Sequence, residues 1–391
     1  MKIPEITTVC YVGAGTMGCA NAITAGLAGY CVMIYDVSAE SLAAAPTRFK
    51  EIGDYLVAQG LCPQATLDHV VSNIGLTDDL AVATAEADLV SESIFENLAL
   101  KREVHAQLDK ICLPETILTT NTSAILVSEI ESVVSIERGC LFAALHSHLG
   151  SVVVDIVGGP RTTQNTIDIL EQYVLSLNAI PLVLKKESPG YVINAILGSL
   201  LTTAMLILQR GVATVEEVDR AWMSQSGITI GPFGLIDLFG LNVVYDSWQN
   251  KQPNQRYAHH KPEIMDLMTP YLAAGHLGAK TGKGFYNYPN PAYAALEDVG
   301  VKDASVANNF ALLSSALINA AVELTVNGIA SPEIIDNAWT ISMKTPLGPF
   351  ALLQALGSRA YLNRLNVQIS EGWFDEGIAI PVKAYLAASI V

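Results

Sequence analysis

Positive charge is scarce in this chain: 391 residues carry 22 Lys and Arg against 38 Asp and Glu, a formal net charge of −16. Nucleic acid is held by a basic surface, and an anionic membrane attracts one, so neither is expected as a partner. Charged residues make up 15% of the chain and hydrophobic ones 51%, which excludes disorder by composition. Close cysteine pairs are also lacking: Cys10, Cys19, Cys31, Cys62, Cys112 and Cys140 are scattered, without metal or redox spacing. The chain opens with no long apolar run and moves almost at once into a β-rich stretch at 7–12, so reduced thiols and a cytoplasmic location are expected. His69, His105, His259, His260 and His276 show no metal spacing, and no metal is expected. The uncharged run 191–209 has the length of a membrane span, yet Asn194, Ser199, Thr202 and Thr203 interrupt it, and it reads as a buried core helix.

What is present is alternation. Residues 9–12 read as a strand, 13–18 as a glycine turn, 19–28 as a helix and 31–36 as the next strand. Further β-like runs stand at 89–92, 117–120 and 141–146, separated by helical stretches such as 97–111, with 152–157 and 180–184 closing the set. This is the pattern of an α/β fold, a Rossmann-type, doubly wound and mostly parallel sheet. A length of 391 implies two or three domains. The character changes at Ser188-Pro189-Gly190, where Ser188 is expected to cap a long apolar helix with Pro189 in its first turn.

The remainder is all-α and contains two tandem repeats. Gly211, Asp219, Trp222, Gly231, Pro232, Phe233 and Gly240 recur as Gly328, Asp336, Trp339, Gly348, Pro349, Phe350 and Gly357, every pair at one offset (328 − 211 = 117). Each copy is expected to have an apolar face that it cannot bury alone, so the chain is expected to be a homodimer, or a monomer whose repeats pair internally.

Gly13-Ala14-Gly15-Thr16-Met17-Gly18 is GxGxxG, a weak signal alone. Here a strand precedes it, a helix follows, and Asp36 ends the next strand 36 − 18 = 18 residues beyond the last glycine. Gly13 permits the tight turn, Gly15 lets the backbone approach a pyrophosphate, and Gly18 allows close helix–strand packing. Asp36 suits ribose hydroxyls and repels a 2′-phosphate, so the expected cofactor is NAD. A bare glycine turn without ligand is the plainer alternative.

VGAGTMG (12–18), ADLVSESIFENLALK (87–101), TNTSAI (120–125), LH (145–146), GYVIN (190–194), GPFGLIDLFGL (231–241) and LGAKTGKGFYNY (277–288) together resemble the L-3-hydroxyacyl-CoA dehydrogenase family over nearly the whole chain. The second helical copy resembles the longer members and the related gulonate dehydrogenase group. The domains implied are 1–187 for NAD, 188–292 for the first helical copy and 305–391 for the second. Removing hydride from a secondary alcohol needs a base for the hydroxyl proton and donors for the developing oxyanion. His146 ends a strand at the carboxyl edge of the sheet; taken alone, such a histidine is more often a satisfied structural residue. The resemblance implies that His146 is the base and that Ser123 and Asn194 bond the reacting oxygen. Their plainer readings are a turn serine and a helix asparagine bonded to backbone. It also implies that Thr16, Met17, Glu96, Lys101, Asn121 and Lys280 lie about the dinucleotide, Lys101 and Lys280 as positive counterweights.

Family members pair the histidine with a downstream glutamate. Asp155, ahead of Ile156-Val157-Gly158-Gly159-Pro160-Arg161-Thr162, occupies that place, so the shorter acid requires closer strands or a water. The family's Phe-Phe-Asn-Pro after the histidine is replaced by Ser147-His148-Leu149-Gly150 and a shorter connection. His148 is expected to line the pocket, with a shared or substituted base role as the alternative. Region 48–75, which helps to hold CoA in the family, offers only Arg48 and Lys50 as cations. The expected activity is NAD-dependent interconversion of 3-hydroxyacyl-CoA and 3-ketoacyl-CoA, as in fatty acid metabolism. A free β-hydroxy acid substrate, or a catalytically weakened NAD-binding relative, is the alternative.

Overall fold

Runs such as 89–92 and 117–120 are buried at every position, so they have no face to offer water and must be covered on both sides. The computed structural model, which describes residues 3–148, 150–253, 255–295 and 304–389, covers them with helices. The strands are β1 Thr8–Val12, β2 Cys31–Tyr35, β3 Gly75–Thr77, β4 Leu89–Glu92, β5 Ile117–Thr120, β6 Phe142–Ser147, β7 Val153–Gly158 and β8 Ile180–Leu184. The helices of this part are α1 Thr16–Leu27, α2 Ala39–Ala58, α3 Gln64–Ser72, α4 Leu80–Thr84, α5 Leu98–Ile111, α6 Val127–Glu131, α7 Ile136–Gly139 and α8 Gln164–Ser176. They form one eight-stranded sheet in the order β3-β2-β1-β4-β5-β6-β7-β8. The winding reverses between β1 and β4, the switch point at which open α/β sheets bind ligands beyond their carboxyl ends. Only the β6–β7 pair is antiparallel, with His146 directly opposite Asp155.

The chain divides into two compact units, Met1–Tyr191 and Val192–Val391. Ser188 does not cap a helix. Gly190 and Tyr191 take φ of +79° and +48°, the Tyr191 amide closes a turn on the Ser188 carbonyl, and the helix starts at Ile193. Two adjacent left-handed residues cannot continue a right-handed helix, which is why the Ser-Pro signal fails here. The edge strand β3 is a further departure, three residues long and below the reach of any periodicity.

The helical unit comprises α9 Ile193–Gln209, α10 Val215–Ser226, α11 Pro232–Phe239, α12 Leu241–Gln249 and α13 Lys261–Ala273, then α14 Ala304–Val326, α15 Pro332–Met343, α16 Pro349–Leu356, α17 Ser358–Ser370 and α18 Glu376–Ser389. Helices α10 and α15 start and end at the repeat offset (332 − 215 = 343 − 226 = 117), as do α11 and α16 (349 − 232 = 356 − 239 = 117). Asp219 accepts the amides of Phe233 and Gly234 at 2.8 and 3.0 Å; Asp336 accepts those of Phe350 and Ala351 at 2.8 and 2.9 Å. A Cβ on Gly231 or Gly348 would strike the matching aspartate at 2.3 and 2.4 Å, so both glycines are required by close approach. Trp222 and Trp339 are both buried. The copies pack on each other reciprocally: α9 lies against α14, α10 against α14, and α15 against α9. Helix α14 has the length and hydropathy to cross a membrane, but 72% of that stretch is buried within the unit. The C-terminal residues of the second expected domain, 390 and 391, lie outside the described residues.

Candidate active site

Helix α1 opens with no side-chain cap and no acid in its first turn, which leaves the free amides of its N-terminus for a ligand. Gly15 is its N-cap, and a Cβ there would meet nothing within 4 Å, so the backbone faces open space. At Gly18 a Cβ would stand 1.8 Å from the Gly13 carbonyl oxygen, so helix and turn touch through hydrogen alone. Thr16 and Met17 form the first turn, exposed and half-buried. The Asp36 carboxylate accepts the amides of Ala14 and Ser38, both at 2.8 Å, and is thereby fixed beside the turn. Arg48 donates to the carbonyls of Ala14 and Ser41, both at 3.0 Å, and braces the turn from below. An uncapped helix start, open space at its middle glycine and an anchored acid fit a dinucleotide with a free 2′-hydroxyl.

At the carboxyl end of β4 the chain buries charge. Glu92 is fully buried and accepts from Lys101 at 2.6 Å, Thr120 Oγ1 at 2.8 Å and the Ile94 amide at 2.8 Å. Burial alone would raise its pKa; the facing His105 and Lys101 outweigh that and bring it down to about 2. Lys101 is 1% exposed, and its ammonium also lies 3.4 Å from Glu96. Its charge is therefore neutralised internally. The expected counterweight is thus engaged by two carboxylates of the chain itself, a buried acid at a strand end needing a cation of its own. Glu96 in turn accepts from Thr122 Oγ1 at 2.5 Å and from the amides of Ser123 and Ala124 at 3.0 and 2.9 Å. Lys101 and Glu96 thus set the turn that carries Ser123, whose carbonyl accepts the Gly190 amide at 2.9 Å.

Asn121 continues the line to β6. Its Oδ1 accepts the amide of Ser147 at 2.8 Å, and Ser147 Oγ donates to Asn21 Oδ1 on α1 at 2.8 Å. Neither Asn21 nor Ser147 stands out in the sequence, because the contact joins residues 126 apart.

His146, one residue before Ser147, is 6% exposed and meets Asp155 with Nδ1 2.8 Å from Oδ2. The shorter acid needs no intervening water. Opposite positions on an antiparallel pair bring their side chains together on one face. His148, two residues on and so on the same face, does more than line the pocket: its Nε2 also stands 2.8 Å from Asp155 Oδ2. The two imidazoles meet edge to face at 4.3 Å, and the buried Tyr191 ring lies 5.3 Å from His146. Among the described residues His146, His148 and Asp155 also form a group with ligand-type atoms within 4.8 Å of one another. The two 2.8 Å separations are those of hydrogen bonds converging on one oxygen. Burial holds the His146 pKa below the ordinary histidine value, with His148 adding to the effect and the Asp155 hydrogen bond opposing it. Burial would raise Asp155, but hydrogen bonds from both histidines bring it below the usual carboxylate value.

Two expected site residues belong to the helical unit. Asn194 lies in the first turn of α9, half-buried, and Lys280 is exposed in the 3-10 turn Ala279–Thr281. In the second copy Asn194 corresponds to Ala311 (311 − 194 = 117).

Residues 8–188 match the NAD-binding domain of 3-hydroxyacyl-CoA dehydrogenase, and 190–288 with 312–384 match its C-terminal domain. The mitochondrial hydroxyacyl-coenzyme A dehydrogenase of Rattus norvegicus is 30% identical over 295 residues, covering 72% of this chain and 91% of the rat protein. A solved diketoreductase acting on dicarbonyl compounds is 30% identical, with a TM-score of 0.68 over 73% of this chain and 100% of its own. The 3-hydroxybutyryl-CoA dehydrogenase of Escherichia coli K12 shares the fold across 98% of this chain and 99% of its own, with a TM-score of 0.79 at 21% identity. Matched in both its sheet unit and its helical repeats, the chain belongs to the 3-hydroxyacyl-CoA dehydrogenase family and is an NAD-dependent oxidoreductase acting on a CH–OH group.

Proposed function

We propose that the protein interconverts a 3-hydroxyacyl-CoA and the corresponding 3-ketoacyl-CoA, with His146 as the general base. The observation that carries this reading is the His146–Asp155 hydrogen bond of 2.8 Å near the carboxyl end of β6. NAD supplies the hydride acceptor. Because a carboxylate only accepts, His146 donates Nδ1–H to Asp155 and keeps the lone pair on Nε2 for the substrate hydroxyl proton. Asp155 then stabilises the imidazolium. Ser123, on the turn held by Glu96, donates to the substrate oxygen as charge develops. Six free thiols, four of them buried, favour a reducing cytoplasm as its compartment.

A second reading, a β-hydroxy or β-keto acid without CoA, is favoured by the state of the two cations in 48–75. Arg48 is engaged by the carbonyls of Ala14 and Ser41, and Lys50 is paired with Asp54 at 2.5 Å. Arg48 is thus turned to the chain's own carbonyls, whereas Lys50, in an exposed pair, stays accessible. NADH oxidation with acetoacetyl-CoA and with free acetoacetate separates the readings, and His146→Ala tests the base. Turnover with acetoacetyl-CoA, reduced about 10²- to 10⁴-fold in His146→Ala, is expected. Turnover with the free acid alone supports the second reading, and an undiminished His146→Ala removes His146 as the base.

A further inference from the structure

An acid–base dyad uses one imidazole, and Asp155 holds two. Its carboxylate is fully buried, and a single oxygen, Oδ2, stands 2.8 Å from both His146 Nδ1 and His148 Nε2. Since carboxylate oxygens only accept, both contacts are N–H donations, and one carboxylate fixes both tautomers. His146 carries its proton on Nδ1, His148 on Nε2. We propose that His148 is a positioning residue for the reaction: by donating to Asp155 it shares the acceptor with His146, weakens the carboxylate's hold on the imidazolium, and keeps His146 neutral and ready as a base into the acid range.

Two effects act in that direction. A hydrogen bond donated to the carboxylate stabilises its charge, so less of that charge serves the His146 cation. The two rings stand 4.3 Å apart between centres, and the coulombic effect of His148 on His146 disfavours the His146 cation. The other groups facing His146 are few. Tyr191, at 5.3 Å, is a buried phenol whose pKa burial raises, so it stays neutral, and Glu96 is the remaining anion acting on the ring. Within this group His148 is therefore the one source of opposing charge. His148 stands one residue beyond the end of β6, so Asp155 stays opposite His146 within the strand pair while the second donor comes from the turn side.

The inference rests on His146 being the base, so the test reads the two separately. NMR titration of the His146 ring is combined with the pH profile of kcat/KM for alcohol oxidation, in the wild type, His148→Gln and His148→Phe. Glutamine can place an amide N–H near the position of Nε2 without a charge; phenylalanine removes both donor and charge. In His148→Phe the His146 titration is expected to rise by about one pH unit, a tenfold change in proton affinity, and the acid limb of kcat/KM to rise with it. His148→Gln is expected to lie between, with KM for NAD unchanged. A His146 titration unmoved in both variants overturns the proposal, whatever the activity does. A titration that moves while the acid limb stays overturns the base assignment instead, and with it any part for His148 in turnover. Should His148→Phe fail to fold, the intermediate shift in His148→Gln decides alone.

Discussion

Glu92 and Lys101 place full charges inside the sheet unit, and removing either breaks a buried pair. Lys101→Met is expected to cost roughly 3–5 kcal/mol in denaturant unfolding, since Glu92 would lie buried without its cation. The pH dependence follows from the lowered Glu92 pKa. A carboxyl titrating near 4.5 when unfolded and near 2 when folded contributes stability above about pH 4.5, and that contribution is lost as pH falls toward 2. Unfolding free energies measured across that window check it: a flat profile, or a Lys101→Met loss under about 1 kcal/mol, is incompatible with a buried pair. Asp36→Asn should weaken NADH binding by roughly 1.5 kcal/mol or more and narrow the preference over NADPH, read by fluorescence titration of both nucleotides. Of these groups, Asp36 is legible from its distance to the glycine turn, and Asp155 from the stretch that follows it. The interior position of Lys101 is not legible, because a lysine at a helix start reads the same whether its partner is solvent or a carboxylate nine residues back. Nor is the second bond on Asp155: the two-residue spacing puts His148 on the face of His146, but the pairing of β6 with β7 brings Asp155 to it.

The aspartate that caps each repeat offers an internal control at the level of the helix. Asp219 and Asp336 accept two amides each in near-identical geometry, but only Asp219 is fully buried and also accepts the Tyr286 hydroxyl, at 3.0 Å. Asp219→Ala is expected to cost roughly 3 kcal/mol or more, as several buried donors lose their acceptor. Asp336→Ala should cost about 1–2 kcal/mol, the worth of a helix cap. Equal losses in thermal or denaturant unfolding would contradict this ranking. The copies differ for a further reason. Asp237 holds the amides of Phe285 and Tyr286 at 2.9 Å each, and its equivalent in the second copy is the uncharged Gln354 (354 − 237 = 117). The repeat itself was legible because Gly, Pro, Asp and Trp are fixed by backbone geometry and close packing. The start of α9 was misplaced because a Ser-Pro signal says nothing of the left-handed pair at Gly190 and Tyr191.

Across the whole molecule, surplus negative charge stands at the surface while apolar helices are covered within the chain. The two helical copies bury their long helices, α9 and α14, against each other, with reciprocal contacts of the kind expected from a two-fold pair. Because both partners sit on one polypeptide, they meet at an effective concentration set by the connection and not by the solution. The unfolding midpoint of the helical unit is therefore expected to stay constant over a hundredfold dilution. A midpoint that falls steadily with dilution would show that another chain completes the fold. If it stays constant, a cell making only a few copies of this protein would hold it as securely folded as one making many, so integrity is uncoupled from abundance.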